Sequence, residues 1–240
     1  DGRTWTIRLK NGIHFADDPV VKGKKRELTA GDYVYAFKRL LDPRMRAPML
    51  WFLDGKIEGS DEVLAKAKQD GRLDYDAPMS GLKALDRYTL RITLKEPDYV
   101  LQGFLTQMPM AAVAREVIEA YGDASGWAMA NPVGTGPFRL KEWRRGQKIV
   151  LEANPGFREQ HFPEAGESGD RELMARMKGK RLPQIGRIDI SIIEESNPQF
   201  LAFASGEIDY VNIPPDLVAN VLDAGNALKP EFAGKGVTLH

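Results

Sequence analysis

Three stretches of this chain, residues 4–15, 82–95 and 138–152, read as pairs of short strands closed by turns, with short helical stretches between them. That interleaving limits the possible folds more than any other feature. Residues 4–10 set the pattern: Trp5, Ile7 and Leu9 alternate with Thr6, Arg8 and Lys10, the period of a half-buried strand. Asn11-Gly12 follows. Both residue types tolerate positive φ, so the pair predicts a type I′ turn into a return strand at Ile13-His14-Phe15. The second pair turns at Asp86-Arg87 and carries Leu90, Ile92 and Leu94 on one face; the third turns across Arg144-Arg145-Gly146-Gln147.

The helical signals are equally local. Thr29 with Asp32 three residues later has the capping-box pattern, and Tyr33, Phe37, Leu40 and Leu41 share one helical face. Asp42-Pro43 ends this helix, because the residue before a proline resists the α conformation. Further short helices are expected at 62–69, 100–105, 115–121, 172–178, 196–204 and 215–222, and further strands at 185–193, 208–211 and 237–239. Residues 155–184 form a long polar excursion. The expected class is therefore α/β or α+β with a mixed sheet, not a doubly wound parallel one.

Composition narrows the function. The chain has 240 residues, 42% hydrophobic and 28% charged, enough apolar material for a real core. Its 34 basic and 34 acidic residues leave no basic footprint, so no nucleic-acid partner is expected. The run at 22–26 reads as a solvated loop. There is no cysteine, which excludes disulfides and thiolate chemistry. No apolar run approaches the ~18 residues of a membrane-spanning helix. The chain enters a strand directly from Asp1-Gly2-Arg3, and 237–239 has no evident strand partner. Both suggest an internal stretch of a longer chain.

No constellation for catalysis stands out. His14, His161 and His240 are scattered and make no metal-binding pair, and no Gly-x-Ser-x-Gly elbow is present. Gly134-Thr135-Gly136 lacks the Lys-Ser/Thr of a phosphate loop and reads as a turn before Pro137. The chain is therefore expected not to be an enzyme and to need neither cofactor nor metal.

Five segments, in order, resemble family 5 of the bacterial extracellular solute-binding proteins, the oligopeptide-, dipeptide- and nickel-binding components of ABC importers. They are Asp1-Gly2-Arg3-Thr4-Trp5-Thr6 through Phe15; Leu28-Thr29-Ala30-Gly31-Asp32-Tyr33 through Asp42-Pro43; Leu82 through Glu96-Pro97; Asn131-Pro132-Val133-Gly134-Thr135-Gly136-Pro137-Phe138 to Trp143; and Ala204-Ser205-Gly206-Glu207-Ile208-Asp209-Tyr210. One departure is visible. Asn154-Pro155-Gly156-Phe157 begins as the family does, but Arg158 replaces an aromatic residue and a charged insertion follows at 159–183.

The resemblance implies a periplasmic-binding-protein-like fold of type II, in which two lobes close on a ligand. This chain would be partial: the middle of lobe one with its extra subdomain, lobe two missing. Residues 1–125 would form the subdomain and 126–240 the portion of the lobe-one core leading to the hinge. The implied function is capture of a peptide or similar small solute in the periplasm and its delivery to ABC permease subunits. The alternatives are a carrier of a metal chelate or other non-peptide solute, or a ligand-sensing module. Implied ligand contacts come from Met49, Trp51 and Phe52, whose segment reads either as core or as cleft wall, from Tyr210 and Asn212 at a strand end, and from Trp127 and Asn131.

Overall fold

The computed structural model describes residues 1–47, 49–124, 127–128, 130–164, 166 and 168–239, with the backbone alone at Phe52 and Ser168. The chain divides into two compact units, Asp1–Trp143 with Val150–Ile188, and Arg144–Ile149 with Asp189–His240.

The first unit is built on a three-stranded antiparallel sheet. Strands β1 (Thr4–Arg8), β2 (Leu82–Asp86) and β3 (Thr89–Thr93) lie in the order β1-β3-β2. The register places Trp5 opposite Ile92 and Ile7 opposite Leu90, so the apolar sets of β1 and β3 fall on one face. Helix α1 (Ala30–Leu41) packs on β2 and β3, and its Phe37 and Leu41 join Leu90, Ile92 and Leu94 in the main core. Phe37 is completely buried, a site where truncation to alanine typically costs about 3–5 kcal/mol. The capping box forms: the Thr29 backbone N–H and hydroxyl both donate to Asp32 Oδ2, at 2.7 and 2.9 Å. Asp42 lies just past the end of α1, as the Asp-Pro pair predicts.

Helices α2 (Ser60–Asp70), α3 (Leu101–Leu105) and α4 (Arg115–Tyr121) complete the core side of this unit; single 3-10 turns at Pro43–Met45, Leu50–Phe52 and Met108–Met110 carry the intervening chain. Strands β4 (Phe138–Arg144) and β5 (Lys148–Ala153) form the expected third hairpin, and β6 (Arg187–Ser191) joins them in the order β4-β5-β6. Among its described residues, the polar excursion forms a 3-10 turn (Ser168–Asp170) leading into a short helix, α5 (Arg171–Met177). It returns on itself: the Leu182 N–H donates to Gln160 O at 2.7 Å and the Phe162 N–H to Lys180 O at 2.9 Å.

Two expectations for this unit fail. Asn11-Gly12 makes a turn, but only Gly12 has positive φ (+74°), so it is not type I′, and β1 pairs with β3 instead of residues 13–15. Those residues run forward to pair with 26–28, through Phe15 N–H to Arg26 O and Leu28 N–H to Ile13 O, both 2.8 Å. The physical reason is a second apolar cluster. Phe15 and Leu28 are buried there with Ala114 and Val117, which a hairpin with β1 would not allow. The basic run is solvated at Lys22, Lys24 and Lys25 but not at Arg26. Arg26 is half-buried, bridges Asp32 at 2.6 Å and Glu116 at 2.5 Å, and lies over the Phe15 ring.

The second unit is thinner. Helices α6 (Ser196–Ala204), α7 (Val218–Val221) and α8 (Pro230–Ala233) bury Ala202, Val221 and Phe232, and the 3-10 turn Pro215–Leu217 buries Leu217; the Phe200 and Phe232 rings are 6.1 Å apart. The strands expected at 208–211 and 237–239 do not form. Both stretches have strand-like composition, but β propensity reflects packing within a sheet and does not by itself make a strand.

Candidate functional site

The turn after α1 is fixed by a buried polar network. Asp42 caps the Pro43–Met45 turn by accepting from the Arg44 N–H at 3.0 Å. Its carboxylate, with no exposed surface, also accepts from Arg44 Nη2 and from the Tyr75 hydroxyl, each at 2.7 Å. Burial pushes the Asp42 carboxyl up, but the Arg44 and Tyr75 donors outweigh it and hold the group below the ordinary carboxylate range. Burial, then the neighbouring Asp42 charge, raise the Tyr75 phenol. Lys38, buried on α1, donates from Nζ to Tyr75 O at 2.8 Å and to Ala77 O at 2.6 Å. Thus α1, the turn and residues 74–77 are tied together.

On this turn the surface opens into a hollow of about 650 Å³. Arg44, Met45 and Arg46 line one part, Lys68 and Gly71 from the end of α2 another, and Trp127 a third. Helix α2 packs against the Pro43–Met45 turn. Trp127 is anchored through its indole N–H, which donates to Met45 O at 3.3 Å, and through its backbone N–H to Asp123 Oδ1 at 3.1 Å. The charge of Arg44 is balanced by Asp42, whereas Arg46 and Lys68 are exposed and have no carboxylate partner among the described residues. The hollow therefore combines a flat aromatic surface with uncompensated positive charge.

The sequence candidates separate into groups. Trp127 lines the hollow, in company with Arg44, Arg46 and Lys68, which the sequence reading passed over. The available signal was Arg44 and Arg46 two residues apart just past the Asp-Pro helix stop. Trp51 is 57% exposed and meets Phe104 edge to face, ring centroids 6.0 Å apart. Met49 is half-buried against the main core. The Phe52 side chain lies outside the described residues. Asn131 is exposed, and its N–H donates to Ala128 O at 3.1 Å in a turn. Tyr210 and Asn212 are brought together in the second unit, where the Tyr210 hydroxyl donates to Asn212 Oδ1 at 2.8 Å and both side chains are exposed. Neither Met49, Trp51 nor Asn131 lines the hollow.

Among the described residues no group of three or more His, Cys, Asp or Glu side chains gathers as a metal site. No helix there is long and apolar enough to cross a membrane.

Comparison with known proteins places this geometry in a family. The profile of bacterial extracellular solute-binding proteins, family 5 Middle, matches residues 1–239. The periplasmic oligopeptide-binding protein OppA of Salmonella typhimurium is 33% identical over 159 residues, which cover 65% of this chain and 26% of the relative. The probable D,D-dipeptide-binding periplasmic protein DdpA of Escherichia coli is 30% identical over 236 residues, 96% of this chain and 34% of the relative. The crystal structure of a periplasmic oligopeptide-binding protein of Borrelia burgdorferi, OppAIV, has the same fold over 92% of this chain and 38% of its own, with a TM-score of 0.66 and 24% identity. This chain thus spans 26% to 38% of the length of these proteins, as a mixed α/β part of a larger fold. It belongs to family 5 of the bacterial extracellular solute-binding proteins.

Proposed function

We propose that this chain is part of the ligand-capturing component of a bacterial ABC importer, working in the periplasm. The intact protein takes up a peptide or similar small solute between two lobes, closes on it by hinge motion and presents it to permease subunits. No bond of the ligand is made or broken. In this reading residues 1–125 are the added subdomain of lobe one and 126–240 lead to the hinge. The observation that carries the proposal is the family match over residues 1–239, supported by relatives named for oligopeptide and dipeptide binding. Trp51, with more than half its surface exposed beside Phe104, supplies a flat apolar contact, and Met49 and Phe52 are proposed as contacts from the same segment. Trp127 with Asn131, and Tyr210 with Asn212, are the other contacts.

Native mass spectrometry of the complete protein as purified tests the reading, and a bound population of short peptides is expected. Calorimetry with those peptides should show that Trp51→Ala weakens binding about 10-fold, the effect of removing an aromatic contact of about 1.4 kcal/mol. A protein that carries only metal chelates or other non-peptide solutes and binds no peptide would sink the proposal.

A further inference from the structure

Some cations of the first unit are neutralised by a carboxylate, whereas others, Lys22, Lys24 and Lys25 among them, are simply solvated on a loop. Arg26, Lys56, Arg87, Lys95, Arg115 and Arg139 each pair with a carboxylate. Arg46 and Lys68 do not, among the described residues, and they line the same hollow. Among the described residues no acidic side chain lines it. In a chain of zero net charge this is a local excess of positive charge, beside a turn that is itself fixed by hydrogen bonds. The preceding turn is locked by Asp42, Arg44 and Tyr75. Arg46 itself adopts a left-handed backbone with φ of +44°, a conformation uncommon outside glycine. Trp127, tied to Met45 O, gives the hollow a flat wall. The volume, about 650 Å³, lies within the range of small-molecule sites.

We propose that this hollow receives a carboxylate, and that it gives the intact protein a preference for acidic peptides; the second half rests on the peptide-binding reading above. A guanidinium and an ammonium facing one space form charge-assisted hydrogen bonds to a carboxylate, and the indole covers the adjoining methylenes. Phosphate shares this chemistry and serves as a competing probe. A purely structural role for Lys68 also exists: it sits in the last turn of α2, where the helix dipole favours a cation. That role predicts no response to ligand charge.

The experiment uses the complete protein that contains this chain. Binding of peptide pairs differing only by Glu or Gln is measured by calorimetry. In parallel, the Trp127 indole N–H is followed by NMR during titration with benzoate, a simple carboxylate, and with inorganic phosphate. The parent protein should bind the Glu peptides about 10-fold more tightly, and benzoate should shift the Trp127 signal. In the Arg46→Gln/Lys68→Gln double variant the Glu-to-Gln ratio should fall within about 2-fold and the benzoate response should disappear. The Lys24→Gln/Lys25→Gln variant removes the same charge from an exposed loop and should keep the preference.

Equal affinity for Glu and Gln peptides in the parent overturns the acidic preference while leaving peptide binding intact. A benzoate response abolished by the double variant, in a protein that binds no peptide of either charge, confirms the carboxylate pocket and overturns the transport reading instead. Silence of Trp127 toward benzoate and Glu peptides alike overturns the pocket, as does a response to phosphate alone.

Discussion

At the scale of single residues, several polar groups find partners far away in the sequence. Glu27 accepts from the Gly12 N–H at 2.7 Å, and from Arg87 Nη2 and the Tyr88 hydroxyl at 2.9 Å each. The Gly12 N–H, then Arg87 and Tyr88, lower its pKa from 4.5 to about 2. A depressed carboxylate stabilises the folded state above its unfolded pKa, and the contribution is lost as pH falls through the folded value. The stability due to Glu27 is therefore complete above about pH 4.5 and disappears as the pH falls toward 2. Glu27→Gln should flatten the decline of the urea midpoint across that window, and an unchanged pH profile would show that Glu27 contributes nothing there. None of this was legible in the sequence, since Arg87 and Tyr88 lie 60 and 61 residues away. The same holds for Lys38, whose carbonyl partners sit 37 and 39 residues on. Arg44, Arg46 and Lys68 were illegible for a related reason: only the fold puts the end of α2 beside the turn after α1.

Among the elements, those defined by neighbours in sequence were readable. The capping box of α1, its Asp-Pro stop and the β2–β3 hairpin all follow from residues within a few positions of one another. Elements defined by a distant partner were not. Asn11-Gly12 encodes a turn, but the burial of Phe15 and Leu28 against α4 decides where the chain goes next. Gly81 is a further case. Its N–H donates to Glu58 O and its carbonyl accepts from the Thr93 N–H, both at 2.8 Å, so three backbone segments meet there. A Cβ at this position would lie 2.5 Å from Thr93 O and 2.6 Å from Glu58 O. Gly81→Ala should destabilise the protein by about 2–3 kcal/mol in urea unfolding. A variant as stable as its parent would mean that the backbone yields at this crossing.

For the whole molecule, family order was legible because five segments spread along the chain carry it. The thinness of the second unit was not, because burial depends on packing and not on apolar content. Among the described residues it buries Ala202, Leu217, Val221 and Phe232, whereas the first unit buries Phe37, Leu41, Ile57, Leu90, Ile92 and Leu94 together with many others. Exchange-resistant amides should therefore concentrate in β2, β3 and α1, with those of α6 opening well before global unfolding. Hydrogen exchange followed by mass spectrometry checks this, and equal protection in α6 and β3 would contradict it. The strand order β1-β3-β2 has a consequence for biosynthesis. Arg3 finds its acceptor, Leu94 O, 91 residues further along. At about 5–20 residues per second, the ribosome takes roughly 5–18 s to make that stretch. During this time β1 has left the ribosome with its own partner strand still unmade. The nascent chain thus exposes Trp5 and Ile7 on an open strand for seconds, a target for the holding chaperones of the cell.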